Sequence, residues 1–461
     1  MFQFTPKLDA NLKKPLYVQL YEEIKHEIKT GNLSHHTKLP SKRKLAHHLQ
    51  ISQNTIEAAY DQLVAEGYIK AIPRKGFYVC EMEQPIFNPK KSFEPIEEKR
   101  EDKKFTFDFT HSGVDPRSFP YTTYRKLASD IWRSERESLL LLGHPQGEYD
   151  LREAIALYIY ESRGVRCSPS QIVLGAGTPY LIKQLVLLLK NSTWAVEDPG
   201  YHRKLMIFEK GVENTKLIPL DRDGIILSEL EKSKANVVFV TPSHQFPCGM
   251  IMPISRRMQL LHWAEKGDNR YIIEDDYDSE FRYSGKPIPA LQGLDSNHKV
   301  IYMSTFSKSF LPSLRISYMV LPKPLIQRFQ KDFFHAQTVS RIDQEILKRF
   351  LQEGHFEKHI HRMRVIYNKK RDLLFSYMST YFPPYIEIIG QDSGLHVLVR
   401  ANNGMTENEL ICTAAQLGVK VYPVSTYGKS DNQTVLLGFA LLSEDEIREA
   451  VQLLAKAWFK R

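Results

Sequence analysis

Apolar positions recur every four residues at Leu16, Leu20, Ile24 and Ile28, directly after Pro15. That spacing predicts an amphipathic helix, and Gly31 suits its C-terminal stop. Ser41 can cap a second helix through Leu49, with Leu45, Ala46 and Leu49 inward. Ser52 can cap a third, carrying Ile56, Ala59, Tyr60, Leu63 and Val64 on its inner face. Only Gln50 and Ile51 separate the second from the third, the spacing of a helix-turn-helix. Tyr68 to Ile72 and Gly76 to Val79 then flank Pro73-Arg74-Lys75, which predicts a β-hairpin with a basic tip.

The periodicity stops after this hairpin. Residues 81–104 hold Pro85, Pro89, Pro95 and a charge run from Glu97 to Lys104. Such a stretch predicts a solvated tether, reaching about 80 Å if fully extended. From Ile172 onward, strand-like apolar runs alternate with helical patterns. The runs are 172–174, 193–196, 216–220, 237–240, 271–273, 300–303 and 316–320. This alternation predicts an α/β fold, a mostly parallel sheet with helices on both faces. After Pro324 the pattern is helical from Ile326 to about Tyr381, and the runs 395–399 and 435–439 belong to a small α+β lobe. The expected division is 1–80, a linker at 81–104, and 105–461.

Composition narrows the functional classes. The 461 residues carry a net charge of +9, which permits a polyanionic partner without demanding one. Cys80, Cys167, Cys248 and Cys412 are scattered, with neither a disulfide frame nor a metal-site spacing. The first residues lack a basic n-region followed by an apolar h-region, and no apolar run approaches membrane-spanning length. The expectation is a cytoplasmic protein without a membrane partner or a metal.

Basic residues sit where a helix-turn-helix meets DNA. Lys38, Lys42, Arg43 and Lys44 surround the second helix, and Arg74 and Lys75 tip the hairpin. Such cations pair with phosphates, while Ser52, Gln53, Asn54 and Thr55 at the start of the third helix can reach base edges. A three-helix knob with a solvated charged face is the competing reading. The runs Lys38 to Ala46, Ser52 to Ile56 and Leu63 to Tyr68 resemble the winged helix-turn-helix of GntR-type bacterial repressors. That family usually has arginine after the serine opening the recognition helix; Gln53 stands there, which bears on the operator sequence rather than on the binding mode.

In the second half, the run Ile301 to Thr305 delivers Ser307, Lys308 and Ser309 onto a short polar loop, with Arg315 seven residues beyond Lys308. A lysine amine can condense with an aldehyde cofactor, and hydroxyls with an arginine can hold its phosphate. Ligands of such sheets bind at the carboxyl ends of the strands. Three further pieces fall there. Gly175-Ala176-Gly177-Thr178-Pro179 links a strand to a helix, with Thr178 able to cap it. Glu274-Asp275-Asp276-Tyr277 ends a strand with acids that need a cationic partner, and a metal site or a solvated loop is the competing reading. Asp198 to Arg203 follows another strand.

The runs Thr241 to Pro247, Ile272 to Phe281, Thr305 to Ser309 and Gly143 to Gly147 resemble fold-type-I pyridoxal-phosphate enzymes, the aspartate aminotransferase superfamily. They are most similar to the MocR subfamily, in which a winged helix is fused to an aminotransferase-like domain. The resemblance implies pyridoxal 5'-phosphate held by Lys308 as an internal aldimine. It implies Asp275 at the pyridine nitrogen, with Asp276 as the neighbouring option, and Tyr277 at the ring hydroxyl. Gly177, Thr178, Ser307 and Arg315 would hold the phosphate, and Arg203 would help seat an effector. GABA-responsive members have arginine after Gly-Phe-Ala, where this chain has Leu441 after Gly438-Phe439-Ala440. A lost charge-assisted bond of that kind costs about 1.5–3 kcal/mol, which points away from GABA toward another amino compound or pyridoxal phosphate itself. The expected protein is a homodimeric transcription regulator that binds operator DNA and senses an amine or amino acid. The alternative is a working aminotransferase with an accessory DNA-binding module.

Overall fold

The computed structural model describes residues 6, 8–9, 12–81, 105–134, 136–201, 214–283, 288–332, 338–392 and 394–459. The chain divides into two compact units, Met1–Glu101 and Asp102–Arg461. The tether expected over 81–104 lies outside the described residues from 82 onward.

In the first unit, helices span Leu16–Lys29, Lys42–Leu49 and Gln53–Ala65. Leu20, Ile24, Ile56, Tyr60 and Leu63 form a buried core. Ile56, Ala59, Tyr60 and Leu63 of the third helix are buried, and Val64, grouped with them in the sequence, is exposed. Ser41 Oγ accepts from Lys44 N at 3.3 Å and Ser52 Oγ from Thr55 N at 3.2 Å, so both serines cap as their positions predict. Gln50 takes a left-handed φ of 53° to turn between the helices. Strands Ile69–Ile72 and Gly76–Val79 pair antiparallel. A third segment joins them: His36 N donates to the Val79 carbonyl (3.0 Å) and Leu39 N to that of Phe77 (2.9 Å). Its polar sequence carries no strand pattern, so only the hairpin was legible.

The second unit is built on an eight-stranded sheet. Its order is Ile172–Gly175, Ser317–Val320, Val300–Thr305, Tyr271–Asp276, Val237–Val240, Trp194–Asp198, Thr215–Asp221 and Gly224–Ile225. The central neighbours pair parallel; Ser317–Val320 and Gly224–Ile225 run antiparallel to theirs. Val237–Val240 and Val300–Thr305 are buried at every position, as strands covered on both faces must be. Two strands run further than the apolar pattern suggests, to Asp198 and Asp276, and so carry carboxylates inside the sheet.

Among the described residues, the long helical stretch holds the helices Lys323–Asp332, Arg341–Gln352 and His355–Tyr381. The last break is Gly354, in a left-handed φ of 69° that favours glycine. The small lobe carries a four-stranded sheet in the order Glu387–Ile389, His396–Arg400, Thr434–Gly438 and Tyr422–Pro423. Against it lies the segment from Phe107, which pairs with Val419, to His111. A side chain at Gly438 would collide with this segment, 2.3 Å from the Thr110 carbonyl. Among the described residues, no helix is long and apolar enough to cross a membrane.

Candidate functional site

The helix-turn-helix presents Gln53 and Asn54 exposed on the first turn of its third helix. Ser52 and Thr55 are engaged with each other, their hydroxyls 2.8 Å apart. Arg43, Lys44, Arg74 and Lys75 are exposed. The Lys42 ammonium is bound by Glu57 at 2.7 Å and lies 3.5 Å from Asp61.

In the second unit, a cavity of about 250 Å3 opens at the carboxyl ends of the strands. Asp275, Tyr277, Ser307, Lys308, Arg315 and Thr178 all line it. Phe306–Ser309 forms a short helical turn beginning at Thr305, whose Oγ1 accepts from Ser307 N at 3.1 Å. Lys308 donates to the carbonyl of His111. Arg315 has a left-handed φ of 54° and crosses above Gly177, where an added Cβ would lie 2.1 Å from Nη2. Only glycine leaves room for the guanidinium there. Gly177, not Thr178, is the N-cap of helix Thr178–Leu188, and no side chain caps it. The open N-terminus keeps backbone N–H groups available to an anion. Arg203 lies outside the described residues.

The two aspartates have opposite environments because successive strand residues face opposite sides. Asp276 accepts from Arg163 Nε at 2.7 Å, the Tyr302 hydroxyl at 2.7 Å and Ser279 Oγ at 2.9 Å. Burial disfavours its charge, but the Arg163 guanidinium and these donors outweigh it and hold the carboxyl below its ordinary range. Asp275 is also buried, yet its Oδ1 has no hydrogen-bond partner among the described residues. Burial, with the nearby charges of Asp276, Asp278 and Glu197, pushes it up to about 8. A buried acid in a cavity with an unused acceptor lacks a cation. A protonated pyridine nitrogen supplies one, so the residues present fit pyridoxal phosphate.

Tyr277 lies beside a buried chain of polar groups. Its hydroxyl is 3.0 Å from His244 Nδ1, which is 2.9 Å from Asp278 Oδ2. His244, Asp278 and His396 have ligand atoms within 4.8 Å of one another. His244 Nδ1 is engaged by Asp278, and His396 Nε2 lies 3.1 Å from the Pro247 carbonyl. Hydrogen bonds thus link Tyr277, His244 and Asp278, while His396 is held separately at the Pro247 carbonyl.

Sequence reasoning missed His111, Ser112, Tyr201, Phe246 and Pro312 in the cavity wall. Tyr201 and Phe246 sit inside runs that already stood out. His111 and Ser112 come from a segment with no motif of its own.

Residues 16–79 match the family described as bacterial regulatory proteins, gntR family. Residues 115–454 match aminotransferase class I and II. The uncharacterized HTH-type transcriptional regulator YdeL of Bacillus subtilis is 44% identical over 98% of this chain and 99% of its own. The probable rhizopine catabolism regulatory protein MocR of Rhizobium meliloti is 32% identical, over 98% and 95%. Among solved structures, Pyrococcus horikoshii kynurenine aminotransferase aligns with a TM-score of 0.67 at 25% identity, covering 78% of this chain and 92% of that one. The chain therefore belongs to the GntR-family regulators that carry an aminotransferase class I and II domain, the group that includes MocR.

Proposed function

We propose that this protein is a cytoplasmic transcription regulator that binds operator DNA through its first unit and holds pyridoxal 5'-phosphate on Lys308 in its second. The cofactor would supply an aldehyde carbon that an amine can occupy, and Lys308 would be the protein's own amine there. Asp275 would pair with the pyridine nitrogen, and Tyr277 would meet the ring hydroxyl. Ser307, Arg315 and the backbone at Gly177 and Thr178 would hold the phosphate. The observation that carries this reading is the buried Asp275 carboxyl, whose Oδ1 has no hydrogen-bond partner among the described residues, in one cavity with Lys308 and Arg315.

The signal is an amine or amino acid, or the cofactor itself, whose capture changes DNA affinity through its different fit to two arrangements of the protein. The DNA contacts fall to Arg43, Ser52, Gln53, Asn54, Thr55, Arg74 and Lys75. A homodimer is supported by an exposed apolar patch at Leu140, Leu141, Leu142 and Trp132. Measuring affinity of the full chain for DNA upstream of its own gene, with and without cofactor and amines, tests the reading. A cofactor- or amine-dependent change is expected; constant affinity contradicts it. The 25% identity to an aminotransferase favours one second reading, a working enzyme, which sustained keto-acid formation would establish.

A further inference from the structure

A second cavity, of about 530 Å3, adjoins the first, and Ser112, Lys308 and Pro312 line both. Lys308 thus stands at the junction of two chambers. Val114, Phe119, Tyr121, Phe310, Met363 and Leu441 make most of the second wall apolar.

Beside this chamber, Asp115, Lys370 and Arg117 are matched to one another, and Arg362, near His359, donates to the Ser118 carbonyl. Asp115, its acidic liner, accepts from Lys370 Nζ at 2.8 Å and Arg117 Nε at 2.9 Å. Lys370 also donates to the Ala440 carbonyl at 2.7 Å, and Arg117 Nη2 to that of Leu441 at 2.9 Å. Among the described lining residues, Lys308 is the remaining cation. A second carboxylate on a bound amine would be buried here against aromatic and aliphatic side chains without a partner, which is costly.

Among the described residues, two buried polar atoms in the wall lack partners: His359 Nδ1 and Ser309 Oγ. Burial, with Arg362 nearby, pulls His359 down to about 4, so the ring is neutral near pH 7. A Ser309 backbone hydrogen bond occupies the other ring nitrogen, which leaves Nδ1 as an acceptor. Native interiors rarely leave such atoms unsatisfied, and a ligand group is one way to satisfy them.

We infer that the effector is an amine whose amino group is its only charge, with an apolar or aromatic tail in this second chamber and a neutral hydrogen-bonding group, such as a hydroxyl, against His359 and Ser309. This inference rests on the cofactor reading above and names the class of amine that the same site takes.

The test uses the full chain loaded with pyridoxal phosphate and freed of excess. Tyramine, 2-phenylethylamine, 4-aminobutyrate and L-glutamate are titrated in turn while the visible absorbance band is followed. The two aromatic amines are expected to shift the band at concentrations at least about tenfold lower than the two carboxylated ones, the scale set by one unsatisfied buried polar group. His359→Phe is expected to weaken tyramine by about tenfold and to leave 2-phenylethylamine unchanged. Met363→Trp, which fills the chamber, should keep the band and lose both aromatic responses. A carboxylated amine acting at equal or lower concentration overturns the inference. So does an equal loss of both aromatic amines in His359→Phe, or an intact band that no aromatic amine shifts. A protein without a band before any amine is added overturns the cofactor reading instead.

Discussion

Arg163 holds Asp276 across 113 residues of sequence, its Nε 2.7 Å from Oδ2, with both side chains buried. The pair commits Asp276 to the protein, while Asp275, on the opposite side of the strand, lines the cavity. Asp276→Asn strands the buried guanidinium and is expected to destabilise the second unit by about 3–5 kcal/mol. Asp275→Asn removes no ion pair, so it should fold normally and lose cofactor affinity. Denaturant unfolding of the two variants, beside a cofactor titration, separates these outcomes.

The same burial sets a pH dependence. Asp275 is pushed up to about 8 and Glu197 to about 7, chiefly by desolvation, above the ordinary carboxylate range near 4. The folded protein keeps protons that the unfolded chain has released. Their contribution is therefore fully present below about pH 4 and is lost as pH rises through about 8. Cofactor-free protein should melt at a lower temperature at pH 8.5 than at pH 6.5. Asp275→Asn should flatten that slope, and cofactor loading should flatten it too, because a cation beside Asp275 favours the ionised form.

At the hairpin tip, Arg74 and Lys75 are exposed. Alanine at either position should weaken DNA binding across all sequences and lower the slope of log affinity against log salt by about 1. Gln53→Ala should instead change which sequence is preferred. Binding titrations at several salt concentrations distinguish the two effects.

Leu141 and Leu142 are 68% and 88% exposed. If this patch is covered by a second copy, Leu141→Glu with Leu142→Glu should shift the protein from dimer to monomer in sedimentation. An unchanged dimer would move the interface elsewhere.

Much of this was legible in the chain because it is local. Ser41 and Ser52 cap the helices they precede, and each apolar run in the second half has its strand. Lys308, Arg315, Asp275, Tyr277 and Thr178 were recognisable by their places at strand ends, and they line one cavity. The rest depends on partners distant in sequence. Nothing near Asp276 announces Arg163. His111 reaches Lys308 only because the segment before it lies against Gly438. The cap at Gly177 follows from a φ of 93°, which the neighbouring Thr178 hides from a reading of residue types.

The proposed role of Lys308 is to carry pyridoxal phosphate. The most direct measurement is the visible absorbance of the purified full chain after incubation with the cofactor and removal of excess, beside Lys308→Ala treated alike. A lysine-bound band is expected in the natural protein and not in the variant. A colourless natural protein, or an identical band in Lys308→Ala, would contradict it.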